Sequence, residues 1–101
     1  MSVLKIDKNN YDEVIVCEKP LLIDFYAEWC GPCRMVAPTI EALSAERSDA
    51  VVVKVNVDNS PELAVRYGVS SIPTILVFRD GKLLSRAVGV RSKDELSEML
   101  D

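Results

Sequence analysis

The sequence predicts an α/β fold built as one domain over residues 1–101. Three observations carry that expectation. Short runs of aliphatic and β-branched residues alternate along the chain with stretches whose apolar residues recur at helical spacing. Asp80-Gly81 separates two such runs, and that pair suits a two-residue type I′ hairpin. A chain of 101 residues is also large enough to bury one core without disulfide staples.

Residues 3–6 read as a short apolar strand. A helix should start near Tyr11, with Asn10 as N-cap and Glu13 three residues on, as in a capping box. Glu18-Lys19-Pro20 should stop it. Residues 21–27 are apolar almost throughout, which marks a central strand covered on both faces. A long helix should open at Cys30-Gly31-Pro32-Cys33 and run to about Arg47, with Met35, Val36, Ile40 and Leu43 on its inner side. Pro38 falls inside it, where the ring clashes with the Arg34 carbonyl and should kink the axis.

Residues 51–57 read as a second buried strand. Ser60-Pro61 is a cap and first-turn signal for a short helix ending at Gly68. Residues 74–78 and 82–88 flank the hairpin. Ser92 and Glu95 form a capping box for a last helix that places Leu96, Met99 and Leu100 on one face. Strand–helix units followed by a hairpin imply a mixed sheet with helices on both faces.

Composition narrows the function classes. The chain is 49% hydrophobic and 28% charged, as a soluble globular protein is. Its net charge of −4 leaves no basic footprint for nucleic acid or an anionic membrane. No apolar run approaches the roughly 20 residues that span a bilayer. The first seven residues read as a strand rather than a signal peptide. Three cysteines, two of them closely paired, do not make a secreted disulfide scaffold, so the reducing cytoplasm is the expected compartment.

The chemistry concentrates in Trp29-Cys30-Gly31-Pro32-Cys33. Two thiols separated by two residues, between a strand and a helix, can close into a small disulfide ring and exchange electrons with another disulfide. Pro32 tolerates the first helical turn, where its missing N–H is no loss, and helps set Cys30 at the helix start. The unpaired N–H groups and dipole there favour an anionic sulfur, and the thiolate is the attacking species. Cys33 falls on the same side one turn deeper, placed to attack a mixed disulfide on Cys30.

At these residues the chain resembles the thioredoxin family. The resemblance rests on the stretch Asp24-Phe25-Tyr26-Ala27-Glu28-Trp29-Cys30-Gly31-Pro32-Cys33-Arg34-Met35 with Pro38, on Val69-Ser70-Ser71-Ile72-Pro73-Thr74, on Asp80-Gly81-Lys82 and on Val88-Gly89-Val90. It runs along essentially the whole chain. Gly-Pro between the cysteines resembles the reducing members, whereas oxidising and isomerising relatives usually carry His there. Tyr26 departs from the Trp of many thioredoxins, which touches packing under the site rather than a catalytic residue.

The resemblance implies five strands in the order 1-3-2-4-5 with four helices, and a small cytoplasmic protein-disulfide reductase that acts as a monomer. It implies no bound cofactor, because the electrons reside in the Cys30–Cys33 pair, and no metal. The expected partners are disulfide-containing proteins and a flavin-dependent thioredoxin reductase.

Other residues carry both an ordinary and a functional reading. Cys30 and Cys33 could belong to a zinc site, but structural zinc usually takes four Cys or His ligands, and this chain has no histidine and only Cys17 besides. The dithiol could also be incidental to docking on a larger complex. Asp24 interrupts an apolar strand, so its carboxylate is either buried or at a solvated edge. By resemblance it is the base and acid for Cys33, acting through a water. Lys54 breaks a valine run, either to set the Asp24 charge or as an ordinary snorkelling lysine.

Pro73 is a loop breaker or, as the resemblance implies, a cis proline beside the dithiol whose preceding backbone pairs with an extended substrate. Trp29, Gly31, Pro32, Ile72, Pro73, Val88, Gly89 and Val90 would form an apolar docking rim, unless the aliphatic members are simply core. Cys17 reads as a small hydrophobe on the first helix near Val14.

Overall fold

The alternation of strand and helix signals resolves into one five-stranded mixed sheet in a computed structural model that describes residues 3–101. The chain runs through β1 (Leu4–Ile6), α1 (Tyr11–Ile15), β2 (Leu21–Tyr26), α2 (Gly31–Glu46) and β3 (Val51–Asn56). It continues through α3 (Pro61–Arg66), β4 (Thr74–Arg79), β5 (Lys82–Val88) and α4 (Lys93–Leu100). The strand order is β1-β3-β2-β4-β5, as the resemblance implied. The first three strands pair in parallel, and β4 and β5 are added antiparallel.

Every residue of β2 is buried, which is why its sequence shows no alternation. Side chains nevertheless alternate between the two layers. Leu21, Ile23 and Phe25 join the core beneath α1 and α3, whereas Leu22 joins the core made by α2 and α4. Asp24 and Tyr26 share the Leu22 face, so the strand period alone brings the carboxylate under α2. The edge strands β1 and β5 leave Leu4, Leu83 and Leu84 exposed.

The long helix buries Cys33, Val36, Ile40 and Leu43, spaced three or four residues apart on one stripe. Met35 lies about one hundred degrees from that stripe and is 70% exposed, contrary to its expected inner position. Pro38 sits within the helix at an exposed position. A helix-interior proline costs about 3 kcal/mol. Burial of Val36, Ile40 and Leu43, at about 1.5–3 kcal/mol each, more than offsets it.

Asp80 and Gly81 have φ of 54° and 78°, both left-handed, as a type I′ turn demands. The last helix has its capping box: the Ser92 side chain accepts from the Glu95 N–H at 3.1 Å, and the Glu95 carboxylate accepts from the Ser92 N–H at 3.0 Å. Leu96 and Leu100 are buried and Met99 packs against the same core.

Two other caps differ from expectation. Asn10 precedes α1 but its side chain does not cap it; Oδ1 accepts from the Asp7 N–H at 2.8 Å and closes the preceding turn. Ser60 makes no cap bond either, because its hydroxyl faces the β1–α1 loop and accepts from the Lys8 N–H at 3.3 Å. The first helix also ends at Ile15, so Cys17 lies beyond it, half-buried, with Sγ 3.5 Å from the Lys19 carbonyl oxygen. Ser92→Ala should therefore lower the unfolding free energy by about 0.5–2 kcal/mol. Asn10→Ala should cost less, since no helix N–H is orphaned. Urea midpoints at constant m-value check both, and an Asn10 loss equal to that of Ser92 would restore its cap role.

Candidate active site

The second strand ends at Tyr26, and Ala27, Glu28 and Trp29 carry the chain over to α2. The Arg34 guanidinium braces this turn by donating to the Glu28 carbonyl at 2.8 Å. Cys30 is the N-cap residue of α2, with extended backbone and a sulfur that accepts from the Cys33 N–H at 3.2 Å. Pro32 occupies the first turn, where no helix bond is lost. Cys30 and Cys33 are joined by a disulfide, with Cα atoms 5.2 Å apart. A sulfur at the start of a 16-residue helix sits among N–H groups with no intrahelical partner, so an anion there is stabilised.

The two sulfurs face different surroundings. Cys30 Sγ lies 3.8 Å from the carbonyl oxygen of Ile72 in the loop before β4. Cys33 instead lines a small, partly open cavity of about 20 Å³ with Asp24, Tyr26, Ile40, Glu41 and Lys54. That space suits about one water molecule.

Asp24 is 3% exposed, and its Oδ1 has no hydrogen-bond partner among the described residues. Burial pushes its carboxyl up to about 7, and the Lys54 ammonium opposes the shift without cancelling it. Lys54 reaches this place because Asp24 and Lys54 are register partners on parallel strands. Its ammonium stands 5.0 Å from the centroid of the Tyr26 ring, within cation–π range. Lys54 is thus half-buried and held, rather than a freely solvated lysine.

The Ile72-Pro73 bond is cis, as the resemblance implied. Pro73 is buried, and its carbonyl accepts from the Gly89 N–H at 2.8 Å, which ties the two loops together. Gly89 has φ of 91°, where a side chain would be strained. On either side Val88 and Val90 are 46% and 43% exposed. Trp29 is 68% exposed, and its indole N–H donates to Asp58 at 2.8 Å. Pro32 is exposed, while Gly31, Ile72 and Gly89 are half-buried. Of these residues Ile72 meets Cys30 Sγ directly, and Pro73 is buried rather than on the surface.

Two residues of this neighbourhood escaped the sequence reading. Asp58 anchors Trp29 because parallel pairing sets the end of β3 beside the end of β2. Glu41 was indistinguishable from any polar residue on a helix, although a three-to-four residue count from Cys33 and Ala37 would have placed it near the same stripe.

A family model described as Thioredoxin matches residues 2–101. A thioredoxin of Chlamydia caviae is 52% identical over 81 residues, covering 80% of this chain and 79% of that protein. Thioredoxin 1 of Synechococcus elongatus is 48% identical over 90 residues, covering 88% of this chain and 84% of its own length. Among solved structures, a mutant thioredoxin from Halobacterium salinarum superposes with a TM-score of 0.90 at 39% identity, over 98% of this chain and 88% of that one. With a cysteine pair at disulfide distance on a helix start and this fold around it, the chain belongs to the thioredoxin family and is a thiol–disulfide oxidoreductase.

Proposed function

We propose that the protein is a general cytoplasmic protein-disulfide reductase, recycled by a flavin-dependent thioredoxin reductase. The observation that carries this reading is the asymmetry of the pair: Cys30 against the Ile72 carbonyl before Pro73, and Cys33 on the cavity that holds Asp24. In the reduced protein the Cys30 thiolate attacks one sulfur of a substrate disulfide, and the other sulfur leaves as a thiolate. Cys33 gives its proton to Asp24 through the intervening space and attacks Cys30 Sγ. That step closes the Cys30–Cys33 disulfide and frees the second substrate sulfur. Two electrons pass to the substrate, and none has to be stored outside the two thiols, so the reaction needs no bound cofactor or metal.

Lys54 tunes the Asp24 charge, while Gly31 and Pro32 shape the turn. An extended substrate segment would lie along the backbone before Pro73, by strand addition, with Trp29, Ile72, Val88, Gly89 and Val90 around it. This surface serves protein substrates rather than nucleic acid or membrane, and a single-domain monomer suffices. The cytoplasm fits because a dithiol reductant must be kept reduced between turnovers.

The test is a coupled assay with NADPH, thioredoxin reductase and a disulfide-containing protein. NADPH should be consumed only when this protein and the disulfide substrate are both present. If a glutathione titration shows the pair cycling while coupled turnover is absent, the protein is a docking subunit with an incidental dithiol.

A further inference from the structure

The cavity beside Cys33 contains a second carboxylate for which the mechanism above has no use. Its polar lining comes from Tyr26 on β2, Lys54 on β3, and Cys33 and Glu41 on α2, while β4 sets only the apolar Ile75 beside Asp24. Asp24, Cys33 and Tyr26 are buried, whereas Lys54 and Glu41 are half-buried and so reach both the cavity and the surface. A proton that Asp24 accepts from Cys33 must leave before the next cycle, and it must return when the dithiol is regenerated. Lys54 is ill-suited to carry it outward, because an ammonium has three donors and no acceptor. It is also held over the Tyr26 ring. Glu41 has two acceptor oxygens, and one of them is fixed by the backbone N–H of Val3, 3.3 Å from Oε2. Val3 lines the same cavity, so this bond holds the carboxylate at its wall.

We propose that Glu41 is the positioning residue that relays the Asp24 proton between the cavity and solvent. The proposal rests on Asp24 being the base for Cys33. In the outward direction the Asp24 O–H breaks, a water in the cavity carries the proton across, and a Glu41 O–H forms and then ionises to solvent. Only a proton moves, so no oxidant or reductant is required. The cavity size fits this route, since both residues line a space that suits about one water.

The experiment is multiple-turnover reduction of a protein disulfide by the full chain with dithiothreitol as reductant, in H2O and in D2O, for parent, Glu41→Gln, Glu41→Ala and Asp24→Asn. Glu41→Gln keeps an amide oxygen for the Val3 N–H but cannot carry the proton. It should slow turnover about three- to thirty-fold, less than Asp24→Asn does, and raise the solvent isotope effect. Added formate should restore part of the rate by shuttling the proton. If Glu41→Gln matches the parent in rate and isotope effect while Asp24→Asn is slow, the relay is wrong and Asp24 remains the base. Slowing in Glu41→Ala but not in Glu41→Gln would overturn the relay too, leaving only an anchor for Val3. If Asp24→Asn is as fast as the parent, the underlying assignment of the base fails, and the relay falls with it.

Discussion

Cys30→Ser should abolish disulfide reduction, and Cys33→Ser should attack once and stop as a stable mixed disulfide with its substrate. The difference follows from what each sulfur faces. Cys30 caps α2, with Sγ accepting from the Cys33 N–H, and it borders the loop of Ile72 and the exposed Trp29. A serine hydroxyl in that place is not ionised at neutral pH, so the helix start has no anion to stabilise and the first bond never forms. Cys33 instead borders the cavity that Asp24 lines. Its loss spares the first attack and removes the second. The covalent product should appear on non-reducing gels as a species that dithiothreitol releases. Trapping through Cys33 in the Cys30 variant, with none through Cys30 in the Cys33 variant, would reverse the roles.

Much of this site was legible because its parts are local in sequence. The dithiol, the helix start and Pro32 lie within four residues, and strand period alone sets Asp24 on the face that α2 covers. What sequence did not reveal is contact across elements. Trp29 meets Asp58 only because β2 and β3 run parallel with Tyr26 opposite Asn56. Glu41 enters the site through a bond to Val3, thirty-eight positions away. The missed caps have the same origin. Asn10 and Ser60 fit cap statistics, but a preceding turn and a neighbouring loop claimed their side chains. Met35 was misplaced for another reason: an apolar residue next to a buried one does not by itself say which side of the stripe it flanks.

Asp24→Asn should stabilise the protein at pH 8 while slowing its reaction, because the burial that suits Asp24 to its proposed role as base works against the fold. The carboxyl lies at about 7 in the folded chain and near 3.8 when unfolded. Between those values the native state binds more protons than the unfolded state, so stability falls as pH rises through the window. Below about 3.8 the group is neutral in both states and costs nothing; above about 7 the full penalty applies. At about 1.36 kcal/mol per pKa unit, the penalty is on the order of 4 kcal/mol, already reduced by Lys54. Asparagine keeps the shape and removes the charge, so the urea midpoint should rise at pH 8 and hardly change near pH 4. Reduction at neutral pH should slow by up to about 10²–10⁴-fold, the range over which a positioned base acts. The two readouts must move in opposite directions. A variant that is less stable at pH 8, or equally stable with unchanged turnover, would show that Asp24 is a structural carboxylate whose ionisation the fold already accommodates. Opposite movement would identify Asp24 as an ionised group that the interior holds at a cost and that takes the proton of Cys33.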